Sequence, residues 1–192
     1  MTYATHKAGG AAFALGGFIF LSSKGLLTSD ISPWLSLFLM YPASSFGSTL
    51  PDLDHGWSNV KEHTPANWLI HKIIHITKPK HRSWQTHCLV LEIIKIIVLF
   101  LLLTLCKTNE WFSQTSLSIL YLIVTGFSLG IASHLFLDMF TRAGIHLIPG
   151  RKIRFVPNNE KFSCSSDSLY ETIWRVFLYM ICLGLLIWIL IL

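Results

Sequence analysis

The residues of this chain that can do chemistry are nine histidines and a handful of aspartates, and they are not scattered evenly. Alternating apolar segments would deliver every histidine-bearing stretch to one side of a membrane, with Asp52, Asp54 and Asp138 near segment ends. A hydrophobic chain has little structural reason to gather such groups, and a metal site at the membrane surface explains it. Pro51-Asp52-Leu53-Asp54-His55 follows an apolar segment directly. In an extended conformation Asp52 and Asp54 point the same way. Two carboxylates on one edge suit a hard or borderline divalent ion; the plainer reading is a solvated turn. His81-Arg82-Ser83-Trp84-Gln85-Thr86-His87 offers two imidazoles and a fixed cation. Neutral imidazole is a common ligand of zinc-like ions, and the planar fork of Arg82 suits a phosphate. The alternative is a basic interfacial anchor with Trp84 in an aromatic belt. His134 and Asp138 stand four apart within an apolar segment, so they share a helix face. Ionisable groups inside a span are costly and usually functional. The pair can chelate one ion or act as a histidine–carboxylate support; otherwise it is an internal hydrogen bond, or Asp138 caps the span.

The remaining candidates are weaker. His6 lies before Lys7 and the first apolar run. His71 and His75 fall on a short amphipathic helix over Ala66–Ile76, where they read as its polar edge. His63 and His146 lack local support. Glu92 and Lys95 are close enough on one helix to form a structural pair. Cys88, Cys106, Cys164 and Cys182 form no C-x-x-C pair and read as small buried hydrophobes.

The elements that position these groups follow from composition. Of 192 residues 52% are hydrophobic and 13% charged, whereas a soluble domain carries roughly a quarter charged residues. A bilayer is the solvent this implies. A span needs about 20 mostly apolar residues, and five segments are candidates: Ala8–Leu21, Ile31–Leu50, Cys88–Cys106, Leu117–Asp138 and Ile173–Leu192. The first fits a cleaved signal peptide only weakly, since Leu21-Ser22-Ser23-Lys24 lacks an A-x-A site. With five spans, the N-terminus and the loops Pro51–His87 and Met139–Thr172 share a face. That face holds eleven of the 15 Lys and Arg, against Lys24 and Lys107 opposite. The positive-inside rule places it in the cytoplasm. Topology thus accounts for the net charge of +5 without nucleic acid as a partner.

Taken together these residues resemble the YdjM-type family of inner-membrane proteins, described as metal-dependent hydrolases. The resemblance runs through Thr5-His6, Pro51-Asp52-Leu53-Asp54-His55, His81-Arg82 with Thr86-His87, and Ser133-His134-Leu135-Phe136-Leu137-Asp138. It continues through Thr141-Arg142-Ala143-Gly144-Ile145-His146-Leu147-Ile148-Pro149 and the late Ser168-Leu169-Tyr170-Glu171. The chain has one residue more than the family's His-Arg-x-x-Thr-His, which leaves open which of His81 and His87 is a ligand. A more distant similarity is to zinc-dependent phospholipase C and single-strand nucleases, and implies clustered zinc.

The expectation is an all-α, membrane-embedded domain over residues 1–192, with about five spans and a metal site at the cytoplasmic face. His6, Asp52, Asp54, His81, His87, His134 and Asp138 are its ligands to one or more divalent ions, zinc by preference. The expected activity is hydrolysis of a phosphoester or ester of a lipid or lipid-linked substrate by metal-activated water. Asp54 or His55 accepts the water's proton, and Arg82 stabilises developing charge. The rival is a non-enzymatic membrane protein with a structural metal or histidine cluster. A transporter ranks last, because its ionisable groups would lie near the bilayer midplane.

Overall fold

Runs of leucine, isoleucine and phenylalanine too long for any strand dictate helices, and polar residues at their ends set the boundaries. The computed structural model describes residues 1–54, 85–156 and 168–191, with the backbone alone at Leu53 and Asp54. It contains helices α1 (Tyr3–Ser23), α2 (Pro33–Gly47), α3 (Leu89–Thr108), α4 (Gln114–Asp138) and α5 (Leu169–Ile191). A 3-10 helix spans Leu50–Asp54, and a hairpin pairs β1 (Ile145–Ile148) with β2 (Arg151–Ile153). Serine side chains cap three helix starts: Ser32 accepts from the Leu35 N–H, Ser113 from Ser116, and Ser168 from Glu171, each at 3.2 Å. Such caps satisfy N–H groups that have no partner within the helix.

Helices α1, α2 and α4 form the centre. The α2–α4 contact is the most extensive, α5 packs on α1, and α3 packs on α4. Small residues permit this closeness. A Cβ at Gly130 would collide with the Ser44 carbonyl, and one at Gly126 with the Met40 carbonyl. Backbone-to-backbone approach of this kind is how helices associate where apolar burial gives little drive. The Ser44 hydroxyl adds a 2.8 Å hydrogen bond to the Gly10 carbonyl, tying α2 to α1.

Among the described residues, three helices, α3, α4 and α5, are long and apolar enough to cross a membrane. The expected second span is shorter than the sequence suggests. Its 15 helical residues reach about 22 Å at about 1.5 Å each, against a hydrocarbon core of about 30 Å. Helix α1 has the length, at 21 residues, but carries His6 and Lys7 in its early turns. The outward faces of α3 and α5 are apolar and exposed, with Ile97, Leu101, Ile173 and Phe177 each about half exposed or more. They are the bilayer-facing surface.

Two local expectations change. Leu50–Asp54 is a 3-10 helix, with Asp52 in its first turn, so Asp52 and Asp54 do not share an extended edge. With three residues per turn, positions two apart point in divergent directions. Pro51 near the start of the turn is tolerated because its missing N–H has no helical partner there. The hairpin was not anticipated. Ile145 pairs with Ile153 and His146 with Lys152, and Gly150 turns the chain at φ 88°. The interfacial helix proposed over Ala66–Ile76 lies outside the described residues, as does Cys164. Glu92 and Lys95 do pair, at 2.6 Å.

Candidate metal centre

Up-and-down threading brings the starts of α1, α3 and α5 to the same end as the finishes of α2 and α4, and the candidate residues lie there. His6 is in the first turns of α1, Asp52 follows α2, and His87 precedes α3. His134 and Asp138 occupy the last turns of α4. The side chains of His6, His87, His134 and Asp138 are fully buried, and Asp52 retains 19% exposure.

Their donor atoms face one another at distances unlike those of hydrogen bonds. His87 Nε2 stands 3.4 Å from His134 Nε2, 3.6 Å from Asp52 Oδ1 and 3.5 Å from Asp138 Oδ2. His134 Nε2 stands 3.8 Å from Asp52 Oδ1 and 3.6 Å from Asp138 Oδ2. Hydrogen bonds between such groups run about 2.7–3.2 Å. A tetrahedron of ligands about 2.0–2.2 Å from a central ion has edges of about 3.3–3.6 Å. Five of the six edges of this four-atom cage are thus close to coordination lengths. His6 Nε2 approaches the other carboxylate oxygens, 3.5 Å from Asp138 Oδ1 and 3.8 Å from Asp52 Oδ2. Its ring stacks on His134 with centroids 3.9 Å apart.

The surroundings orient the lone pairs inward. His134 Nδ1 lies 2.7 Å from the Ser48 carbonyl. A carbonyl only accepts, so Nδ1 carries the hydrogen and Nε2 of the neutral ring turns its lone pair to the cluster, the usual support for a metal-bound histidine. The close passage of Gly130 over Ser44 and Ser48 makes that contact possible. His87 Nδ1 lies 2.9 Å from the Thr86 hydroxyl, and the His87 carbonyl accepts from the His146 N–H at 2.8 Å. His6 is held differently. Glu171, buried on α5, accepts hydrogen bonds from the Thr2 N–H and, at 2.8 Å, from the Thr5 hydroxyl. This carboxylate at the positive start of α1 fixes the turn that carries His6.

Charge favours a cation. Asp138 ends α4, where the helix dipole opposes a carboxylate. Burial would raise the Asp52 carboxyl, but the surrounding imidazoles of His134, His87 and His6 outweigh it and hold the group well below the usual carboxylate range. Neither ring nitrogen of His6 has a hydrogen-bond partner among the described residues. An unsatisfied buried polar group costs about 1–3 kcal/mol. Imidazole nitrogens and carboxylate oxygens fit zinc and similar divalent ions. Two sets, His6–Asp52–His134 and His87–His134–Asp138, are grouped closely enough to hold an ion.

Of the residues predicted from sequence, the structure brings together His6, Asp52, His87, His134 and Asp138. His55, His81 and Arg82 lie outside the described residues, as does the side chain of Asp54. His146 touches the centre through its backbone. Sequence reasoning gave no role to Ser48, Thr5 or Glu171. The signals were present in Thr5-His6 and in Ser168-x-x-Glu171, whose glutamate serves another helix and not its own.

The model of the family described as YdjM inner membrane protein matches residues 1–192, and the chain belongs to that family. No curated protein and no solved structure matches it.

Proposed function

We propose that this member of the YdjM family is a membrane-bound, metal-dependent hydrolase acting on a phosphoester or ester of a lipid or lipid-linked substrate at the cytoplasmic face. The observation that carries the reading is the cage of His87, His134, Asp52 and Asp138, whose donor atoms stand at coordination lengths from one another. A divalent ion there, zinc by the donor set, supplies Lewis acidity and lowers the pKa of water to about 7. The chain's own residues supply the rest. Ser48 fixes the tautomer of His134, and Thr86 and the hairpin hold His87. Asp52, ionised, is the most exposed of the set. Asp54 or His55 takes the water's proton, and Arg82 neutralises charge on the departing oxygen; these roles rest on the sequence. The lipid nature of the substrate rests on location, since the centre lies at the ends of bilayer-crossing helices.

The rival, a structural metal cluster in a non-enzymatic membrane protein, is favoured by the closed four-donor form of the cage, because catalytic zinc keeps an open position. Metal analysis and activity together decide. The purified protein is expected to carry zinc and to cleave a chromogenic phosphodiester or a fluorogenic lipid ester. Chelation should abolish activity, and zinc should restore it. Zinc without activity on either probe favours the structural reading, and protein without bound metal overturns both.

Orientation is tested separately. Arg142, Arg151, Lys152 and Arg154 lie in the segment after α4, and a cytoplasmic location follows from the positive-inside rule. A cysteine replacing Lys152 should resist an impermeant reagent in intact cells, while one replacing Glu110 should react. The opposite pattern moves the centre to the outer face.

A further inference from the structure

We propose that the centre holds two divalent ions bridged by Asp52 and Asp138. This rests on the metal reading above and extends it. The evidence is how the two carboxylates divide their oxygens. Asp52 presents Oδ1 to His87 and His134 and Oδ2 to His6. Asp138 presents Oδ2 to His87 and His134 and Oδ1 to His6. Both side chains make the same split, each standing between a pair of imidazoles and a single one. A carboxylate so placed bridges two cations, and ions in two-metal sites lie about 3.5–4 Å apart.

The division gives the ions different environments. Among the described residues, the first is faced by His87, His134 and one oxygen from each aspartate. The second is faced by His6 and the remaining two oxygens, with the buried Met1 amine 4.0 Å from Asp138 Oδ1. A single ion in the closed cage would leave both nitrogens of His6 buried without a hydrogen-bond partner among the described residues. A second ion resolves this. The rings of His6 and His134 stack with centroids 3.9 Å apart, inclined by 17°. Glu171 then acts as a positioning residue for the second ion, because it anchors the start of α1 that presents His6.

The test counts ions and reads their coupling. Full-length protein in detergent, stripped and reloaded with zinc, should bind two ions in resolvable steps against a chromophoric chelator. His6→Ala should weaken one step by about 100-fold or more, on the scale of lost metal-site residues, and leave the other within about threefold. Wild-type protein loaded with manganese should give the exchange-coupled resonance of a bridged pair, and His6→Ala that of an isolated ion. One zinc per chain with an uncoupled manganese spectrum overturns the two-ion proposal and leaves the metal reading standing. No bound ion overturns both. The wild-type count and spectrum decide the matter even if His6→Ala does not fold.

Discussion

Helices α4 and α5 are of similar length, 25 and 23 residues, and both are apolar enough to cross a membrane. They behave as opposites. In α4, 39% of the most apolar stretch is buried inside the protein, against 11% in α5. Helix α4 brings Gly126 and Gly130 against the backbone of α2 and places His134 and Asp138 in the centre. Helix α5 turns Ile173, Val176, Phe177 and Met180 outward and contributes one inward carboxylate, Glu171, at its start. Hydropathy finds both helices and cannot tell them apart. Small residues and ionisable groups at helical spacing decide which helix lines the site and which faces lipid.

The comparison breaks most sharply at glycine. Gly130 of α4 has backbone where a Cβ would go, whereas Gly184 of α5 has open space. Gly130→Val should destabilise the protein by more than about 3 kcal/mol, beyond ordinary overpacking, because backbone cannot yield as a side chain can. Gly184→Val should leave the thermal midpoint in detergent unchanged or slightly raised. Equal effects would mean that α4 does not pack on α2 as described.

His134→Ala and Asp138→Ala come next. Each should lower zinc affinity by about 100-fold or more while the fold survives, and the double variant should be no worse than either single, since residues acting as a unit are non-additive. A hydrogen-bonded pair without metal predicts the reverse, a double milder than either single, because no partner is left unsatisfied. Zinc content of the three variants separates the two.

Acid titration sharpens the electrostatics. With its carboxyl held below the usual range, Asp52 contributes stability in full above about pH 3.9 and loses it only as pH falls further. Acid should release zinc by protonating the histidine ligands. Asp52→Asn should weaken binding and so move that release to higher pH, which a pH series of chelator competition would reveal.

The smallest effect belongs to the lipid face. Leu183, 53% exposed on α5, should tolerate alanine within about 0.5 kcal/mol, and a larger thermal shift would point to a neighbour in the membrane.

Much of this was readable in the residues. Apolar runs located α3, α4 and α5, and the four-residue spacing of His134 and Asp138 placed them on one face of α4. The length of α2 was overestimated because no charge interrupts the chain between Asp30 and Asp52, while the helix ends at Gly47 and restarts as a 3-10 turn around Pro51. That ending depends on the crossing with α4, a tertiary contact. Gly126-x-x-x-Gly130 marked the crossing, but its partners Met40 and Ser44 are distant in sequence. The hairpin had its own signal, Pro149-Gly150 between β-branched residues, masked by the basic loop around it. No local pattern could pair Glu171 with Thr5.

That last contact joins the first helix to the fifth across more than 160 residues. On the ribosome α1 is made before α5, and Thr2 and Thr5 then wait for their acceptor. Segments fold in the order in which they appear, so the turn bearing His6 is secured only when α5 arrives. The centre therefore closes only after α5 is made, and a chain stalled before α5 leaves the grip on His6 unmade.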